Sequence, residues 1–314
     1  MRTRAIVFLL SAVILFPHVI FAGEKVKLAL NWKAEPEFGG FYTAQVEKLY
    51  QKHALDVEVL QGGAGTPTVQ MVAAGQVDFG IVSGDEIILA RGNGADVVGV
   101  FAVFQTAPYA IMLREESGIQ NFEELFKSKM TLAVVKGLPY VNFIEKKYGF
   151  NNLKIVPYQG GITNFLSEKN YAQQCFVSSE PLLAAQKGIK TKTLLVADTG
   201  FNPYTVVLAV KGETLKKKPD LVKRMVQAAR EGWQAYLKSP KSTHEFIAGL
   251  NPTMSVGGMA EIQKIEARLI ENDDTKKNGL GHMTEERWTN LIKQLKDLKM
   301  TKKDVVAKDV FVNF

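Results

Sequence analysis

Between residues 25 and 210, short apolar runs alternate with stretches of helical spacing, and the whole alternation runs through twice. Residues 25–30 (KVKLAL) and 55–60 (LDVEVL) alternate with period two, and between them 41–53 carries apolar residues at helical spacing. Residues 67–74 read as a short helix closed by Gly75, 77–82 (VDFGIV) as a buried strand, 86–91 as a helix and 97–104 as a strand. Strands alternating with helices predict an α/β fold, with a mostly parallel open sheet covered on both faces.

The pattern then restarts, with helices expected at 121–126, 140–148, 164–168 and 181–186 and strands at 130–135, 154–157, 174–177 and 193–197. Two long extended stretches, 100–113 and 204–210, flank this second unit, and the chain after Glu213 reads as almost wholly helical. The simplest arrangement is two lobes: 24–108 with 207–314 as lobe I, and 109–206 as lobe II. Two crossing strands then form a hinge, and a ligand is expected between the lobes at the carboxyl ends of the strands.

Residues 1–22 read as a signal peptide. Arg2 and Arg4 precede the apolar run 5–16, and Ile20-Phe21-Ala22 offers a small-residue cleavage site. An uncleaved anchor is the alternative, because the run is almost long enough to span a bilayer; Pro17 and His18 near its end favour cleavage. No cysteine follows the run, so no lipid is expected there, and the periplasm is the expected compartment.

Composition removes several function classes. The net charge of +7 is mild and spread along helices, which argues against nucleic acid as a partner. Cys175 is the one cysteine, excluding an intramolecular disulfide, a cysteine zinc site and a cysteine-ligated cluster. The histidines at 18, 53, 244 and 282 lack ligand spacing, so neither metal nor cofactor is expected. The loop 62–65 lacks the Gly-Lys-Ser/Thr ending of a phosphate-binding P-loop, and Cys175 reads as a small buried hydrophobe, so no catalytic constellation is apparent and the chain is not expected to be an enzyme.

The unusual residues collect at the strand ends. In lobe I these are Asn31 and Trp32, Gly63 and Thr66, Ser83 and Asp85, and Thr106 followed by Tyr109; in lobe II they are Lys136 and Tyr140, Tyr158 and Gln159, Ser179 and Glu180, and Asn202. Each loop alone is an ordinary turn before a helix. Together they offer backbone access, helix-start amides and aromatic faces to one cleft.

The stretch Leu30-Asn31-Trp32 … Glu37-Phe38-Gly39-Gly40-Phe41-Tyr42, then Leu55-Asp56-Val57-Glu58, the loop 62–65, and Ala74-Gly75-Gln76-Val77-Asp78-Phe79-Gly80 resembles the substrate-binding proteins of ABC importers. More narrowly, it resembles the branch that binds thiamine pyrimidine precursors, alkanesulfonates and nitrate. The resemblance implies a two-lobed type II periplasmic-binding fold with two crossover hinge strands, a monomer that closes on a small-molecule solute and docks on an inner-membrane permease. It adds Glu37, Phe38 and Tyr42 to the candidate site. Asn31-Trp32 stands where pyrimidine binders carry Asp-Trp, Phe38 where they carry a histidine, and Glu180 matches the glutamate that accepts from a ring amine.

The loops supply many aromatics, the Glu180 carboxylate and Lys136 as their cation, a balance that favours a flat nitrogen heterocycle over nitrate or a sulfonate. The 62–66 loop is available for a phosphate or hydroxyl substituent. A thiamine pyrimidine precursor is the first expectation and a flavin-like ring the second; a sulfonate or nitrate receptor, a heterocycle-processing enzyme and a ligand-sensing domain remain open.

Overall fold

The structure, a computed structural model, describes residues 23–314; the expected signal peptide at 1–22 lies outside the described residues. Ten strands follow in chain order: β1 (Glu24–Ala29), β2 (Leu55–Leu60), β3 (Phe79–Val82), β4 (Val97–Phe104), β5 (Tyr109–Arg114), β6 (Thr131–Val134), β7 (Lys154–Pro157), β8 (Tyr171–Phe176), β9 (Thr191–Leu195) and β10 (Thr205–Lys211). They form two five-stranded sheets, ordered β2-β1-β3-β10-β4 and β7-β6-β8-β5-β9. Each sheet with its helices is one lobe of a type II periplasmic-binding fold.

The sheets are mixed, which corrects the mostly parallel expectation. β1 pairs parallel with β2 and β3, and β6 with β7 and β8. β10 runs antiparallel to β3 and β4, and β5 antiparallel to β8 and β9. These two reversed strands are the ones that enter each sheet from the other lobe, and an apolar run carries no information about its direction. The extended stretch 100–113 is likewise two strands, interrupted at 105–108, where Pro108 has no N–H to give a ladder.

Local signals act where side chains allow them. The helical stretch 41–53 is divided into Gly39–Val46 and Leu49–Lys52 by Lys48, whose φ of 57° is left-handed. The break lets the Tyr50 hydroxyl donate to the Phe41 carbonyl at 3.1 Å. Gly39 and Gly40 pack directly on the rings of Tyr236 and Trp233, where any Cβ would clash. This close approach seats the helix Gly39–Val46 on the helix Pro219–Lys238, with Trp233 fully buried between them.

Arg287, on the helix Glu285–Asp297, clasps the hinge. Its Nε donates to the Asn202 carbonyl (2.9 Å), Nη1 to the Gln105 carbonyl, and Nη2 to Asn202 Oδ1 and the Pro203 carbonyl (both 3.0 Å), while the guanidinium lies 3.9 Å from the Tyr204 ring centre. One side chain therefore ties both crossovers to lobe I. No helix among the described residues is long and apolar enough to cross a membrane.

Candidate functional site

The site is built where the first residue of β5 meets the ends of the lobe II strands. Tyr109 stacks on Tyr140 with ring centres 4.9 Å apart and planes 13° from parallel, and Phe176 leans on Tyr109 at 5.5 Å. Tyr140 is held in the first turn of the helix Pro139–Tyr148, which Pro139 starts by fixing φ. Burial pushes the hydroxyls of both tyrosines up, with the Asp85 carboxylate of lobe I adding to the effect at Tyr109 and Cys175 and Glu180 at Tyr140. Both remain neutral, apolar-faced and able to donate.

Glu180 opens the helix Glu180–Gln186 and is already engaged: Oε1 accepts from the Tyr158 hydroxyl (2.8 Å) and Oε2 from the Phe176 N–H (2.9 Å). Each oxygen keeps a second lone pair. The two bonds fix the carboxylate's orientation, and burial together with Glu180 raises the Tyr158 hydroxyl.

Lobe I presents further carboxylates to this one. The Trp32 indole N–H donates to Glu35 Oε1 at 3.2 Å, and the ring keeps 38% of its surface exposed. Glu37, in the turn Pro36–Phe38, is buried, and its carboxyl is pushed up to about 8 by burial and by repulsion from Glu35 and Glu180. Burial also raises Glu35, with the Trp32 bond offsetting part of the effect. Asn31 Oδ1 is buried without a hydrogen-bond partner.

Sequence reasoning missed Glu266. It lies on the helix Val256–Ile270, 2% exposed, with Oε2 buried and unpartnered. Burial and the nearby Glu37 and Glu35 push its carboxyl well up, and the Ser178 side chain of lobe II offsets part of this. The available signal was its spacing: the buried residues of that helix are Met259, Glu266 and Ile270, so the carboxylate interrupts the apolar stripe.

Several expected ligand residues serve other ends. Phe38 and Tyr42 are in the lobe I core, 0% and 1% exposed, with Tyr42 against Phe246; both point away from solvent because the Gly39-Gly40 packing turns this segment inward. Asn202 belongs to the hinge, where Oδ1 accepts from the Ala107 N–H (2.8 Å) and from Arg287. Ser83 and Asp85 are bonded to each other at the start of the helix Gly84–Gly92, where Ser83 and Glu86 form a capping box. Both act on Tyr109, Asp85 through its charge and Ser83 through a hydrogen bond.

The Thr66 hydroxyl accepts from the Gly63 N–H at 2.8 Å, a bond within the 62–66 loop. The Thr106 amide is bonded to the Leu269 carbonyl, and Ser179 precedes Glu180 without a side-chain cap. Lys136 and Gln159 are exposed at the rim. Lys136 and Tyr158 border an apolar groove of about 390 Å³ shared with Val134, Val135, Ile155 and Val156. Thus Trp32, Glu37, Tyr109, Tyr140, Tyr158 and Glu180 converge, joined by Glu35 and Glu266. No group of metal-ligating side chains occurs among the described residues.

Comparison with known proteins agrees with this architecture. The chain is 21% identical over 306 residues to riboflavin-binding protein RibY of Chloroflexus aurantiacus, covering 92% of this chain and 85% of that one. It is 22% identical over 246 residues to the 4-amino-5-hydroxymethyl-2-methylpyrimidine phosphate synthase of Candida albicans, covering 74% and 73%. The periplasmic aliphatic sulphonate binding protein SsuA from Escherichia coli superposes with a TM-score of 0.71 at 14% identity over 91% of each chain. Residues 35–243, more than half the chain, match the family model described as NMT1/THI5 like, and the chain belongs to that family.

Proposed function

We propose that this protein is the periplasmic solute receptor of an ABC importer and that its solute is a flat, nitrogen-bearing heterocycle of the thiamine-pyrimidine-precursor class. The observation that carries the reading is the convergence of the Tyr109–Tyr140 stack with the Tyr158-anchored Glu180, opposite Trp32 and Glu37 of the other lobe. A planar ring gains from the aromatic faces, and a carboxylate fixed by two hydrogen bonds is preorganised to accept from a ring amine. Closing both lobes on one solute favours the closed state by the differential affinity of the two forms.

Binding without turnover is part of the proposal. Cys175 is buried, and burial with Glu180 nearby pushes its thiol well up, the opposite of an activated nucleophile. A monomer that releases its solute to an inner-membrane permease completes the reading. A flavin-like ring is the second reading, favoured by the similarity to RibY along 92% of the chain. Mass spectrometry of small molecules released from the purified protein on denaturation tests both: a pyrimidine or a flavin is the expected mass, and a sulfonate overturns the heterocycle reading.

A further inference from the structure

The carboxyl ends of β6 and of its edge neighbour β7 form an apolar groove of about 390 Å³, walled by Val134, Val135, Ile155, Val156 and Tyr158. Its walls are held in place. β6 and β7 pair in register as far as Val134 and Pro157, and the Tyr158 N–H extends the ladder onto the Val134 carbonyl at 3.3 Å. The Val135 N–H donates to Gln174 Oε1 of β8 at 2.6 Å, while the Val135 side chain stays 41% exposed. With these amides satisfied inside the protein, the groove offers a ligand apolar side chains. Ile155 packs on the core cluster that holds Leu132 and Ile144, and Val156 and Tyr158 pack on the one that holds Phe165 and Cys175.

Tyr158 belongs both to this groove and to the candidate site. Its residue lines the groove, and its hydroxyl donates to Glu180 Oε1 at 2.8 Å. A ring amine that uses the second lone pair of that oxygen sits beside Tyr158, so whatever the solute carries next to the amine lies within reach of the groove. The volume is that of a small-molecule site, and the handful of lining residues is far short of the roughly 20–30 a side that a protein partner covers. Water in such a groove finds few polar partners, so an apolar group that displaces it gains free energy.

We propose that the groove is a second subsite, for an apolar substituent or fused ring carried beside the solute's amine, so that the receptor prefers an extended heterocycle over a bare single ring. The subsite rests on the heterocycle reading and narrows it: Glu180 fixes the amine, and the groove selects what is attached next to it. Tyr158 serves both, its hydroxyl orienting the carboxylate and its ring forming the shared wall. Every wall of the groove comes from the sheet of lobe II, so this preference acts before the lobes close.

Calorimetry with two probes that share the amine edge tests this: 4-amino-2-methylpyrimidine and 4-amino-2-methylquinazoline, whose added benzene ring is fused beside the amine. Each is titrated into wild type and into Val135→Asn, a change at an exposed side chain that spares the core. The expected result is that wild type binds the quinazoline about tenfold or more tighter than the pyrimidine, and that Val135→Asn cuts this ratio by about threefold or more. Equal or weaker binding of the quinazoline by wild type, or an undiminished ratio in Val135→Asn, overturns the subsite and leaves the heterocycle reading standing. If neither probe nor riboflavin binds, the heterocycle reading falls and the subsite with it.

Discussion

The Arg287 guanidinium lies 3.9 Å from the centre of the Tyr204 ring while its donors reach the Gln105 and Asn202 carbonyls, so a single side chain joins the outgoing and returning crossovers. Burial lowers its proton affinity to about 10, still far above neutrality, so the charge is retained. Lysine has neither the planar fork nor the number of donors to repeat this pattern. Arg287→Lys is expected to lower stability by about 2–4 kcal/mol, read as the denaturant midpoint, because buried carbonyls lose charged donors. A midpoint within error of wild type would mean that the clasp is dispensable.

Trp32, in the loop that follows β1, presents an exposed indole held by Glu35. Trp32→Ala is expected to weaken solute binding by about 1–3 kcal/mol, the range for an aromatic stacked on a base, with little change in melting temperature. Titration of the variant with the co-purifying solute gives the number. Unchanged affinity assigns Trp32 to the surface.

The buried carboxyls give a pH signature. Glu37 has an ordinary value of 4.5 and a folded value of about 8, and Glu266 is raised as well, so the folded protein holds protons that the unfolded chain releases. The Glu37 contribution is full below pH 4.5 and is lost as the pH rises towards 8, by at most about 1.4 kcal/mol per pH unit, and Glu266 acts in the same direction. Chemical denaturation of the solute-free protein across that range is expected to show falling stability, and Glu37→Gln to flatten the slope. A slope that Glu37→Gln leaves intact would place the proton elsewhere.

Cys175 is expected to resist iodoacetamide at mildly alkaline pH in the native protein and to react once guanidinium unfolds it, since burial raises the thiol. Rapid native labelling would reopen a nucleophilic role.

Much of the fold was legible because its strands are written in apolar runs. β2 and β4 fall on the residues that alternation and continuous hydrophobicity indicate, 55–60 and 97–104. The reversal of β5 and β10 was not legible, since direction is set by which lobe the chain leaves. Lys48 in a left-handed turn gave no signal either. At the site, Tyr109, Tyr140 and Glu180 announced themselves as unusual residues at strand ends. Asn202 did too, yet its amide is spent on the hinge, because a strand-end residue in a crossover faces its partner crossover rather than the cleft. Glu266 was hidden because a glutamate on a helix ordinarily reads as a solvated face, and only the tertiary packing of that helix on the turn Pro36–Phe38 makes it buried.

A flat nitrogen heterocycle in the interlobe cleft is the solute proposed for this receptor. Calorimetry of the solute-free protein against an aminopyrimidine, riboflavin, taurine and nitrate measures it most directly. One-to-one binding of the aminopyrimidine, or of riboflavin on the second reading, is expected, with no detectable heat from taurine or nitrate; tight binding of taurine or nitrate with no response to either heterocycle overturns the heterocycle reading.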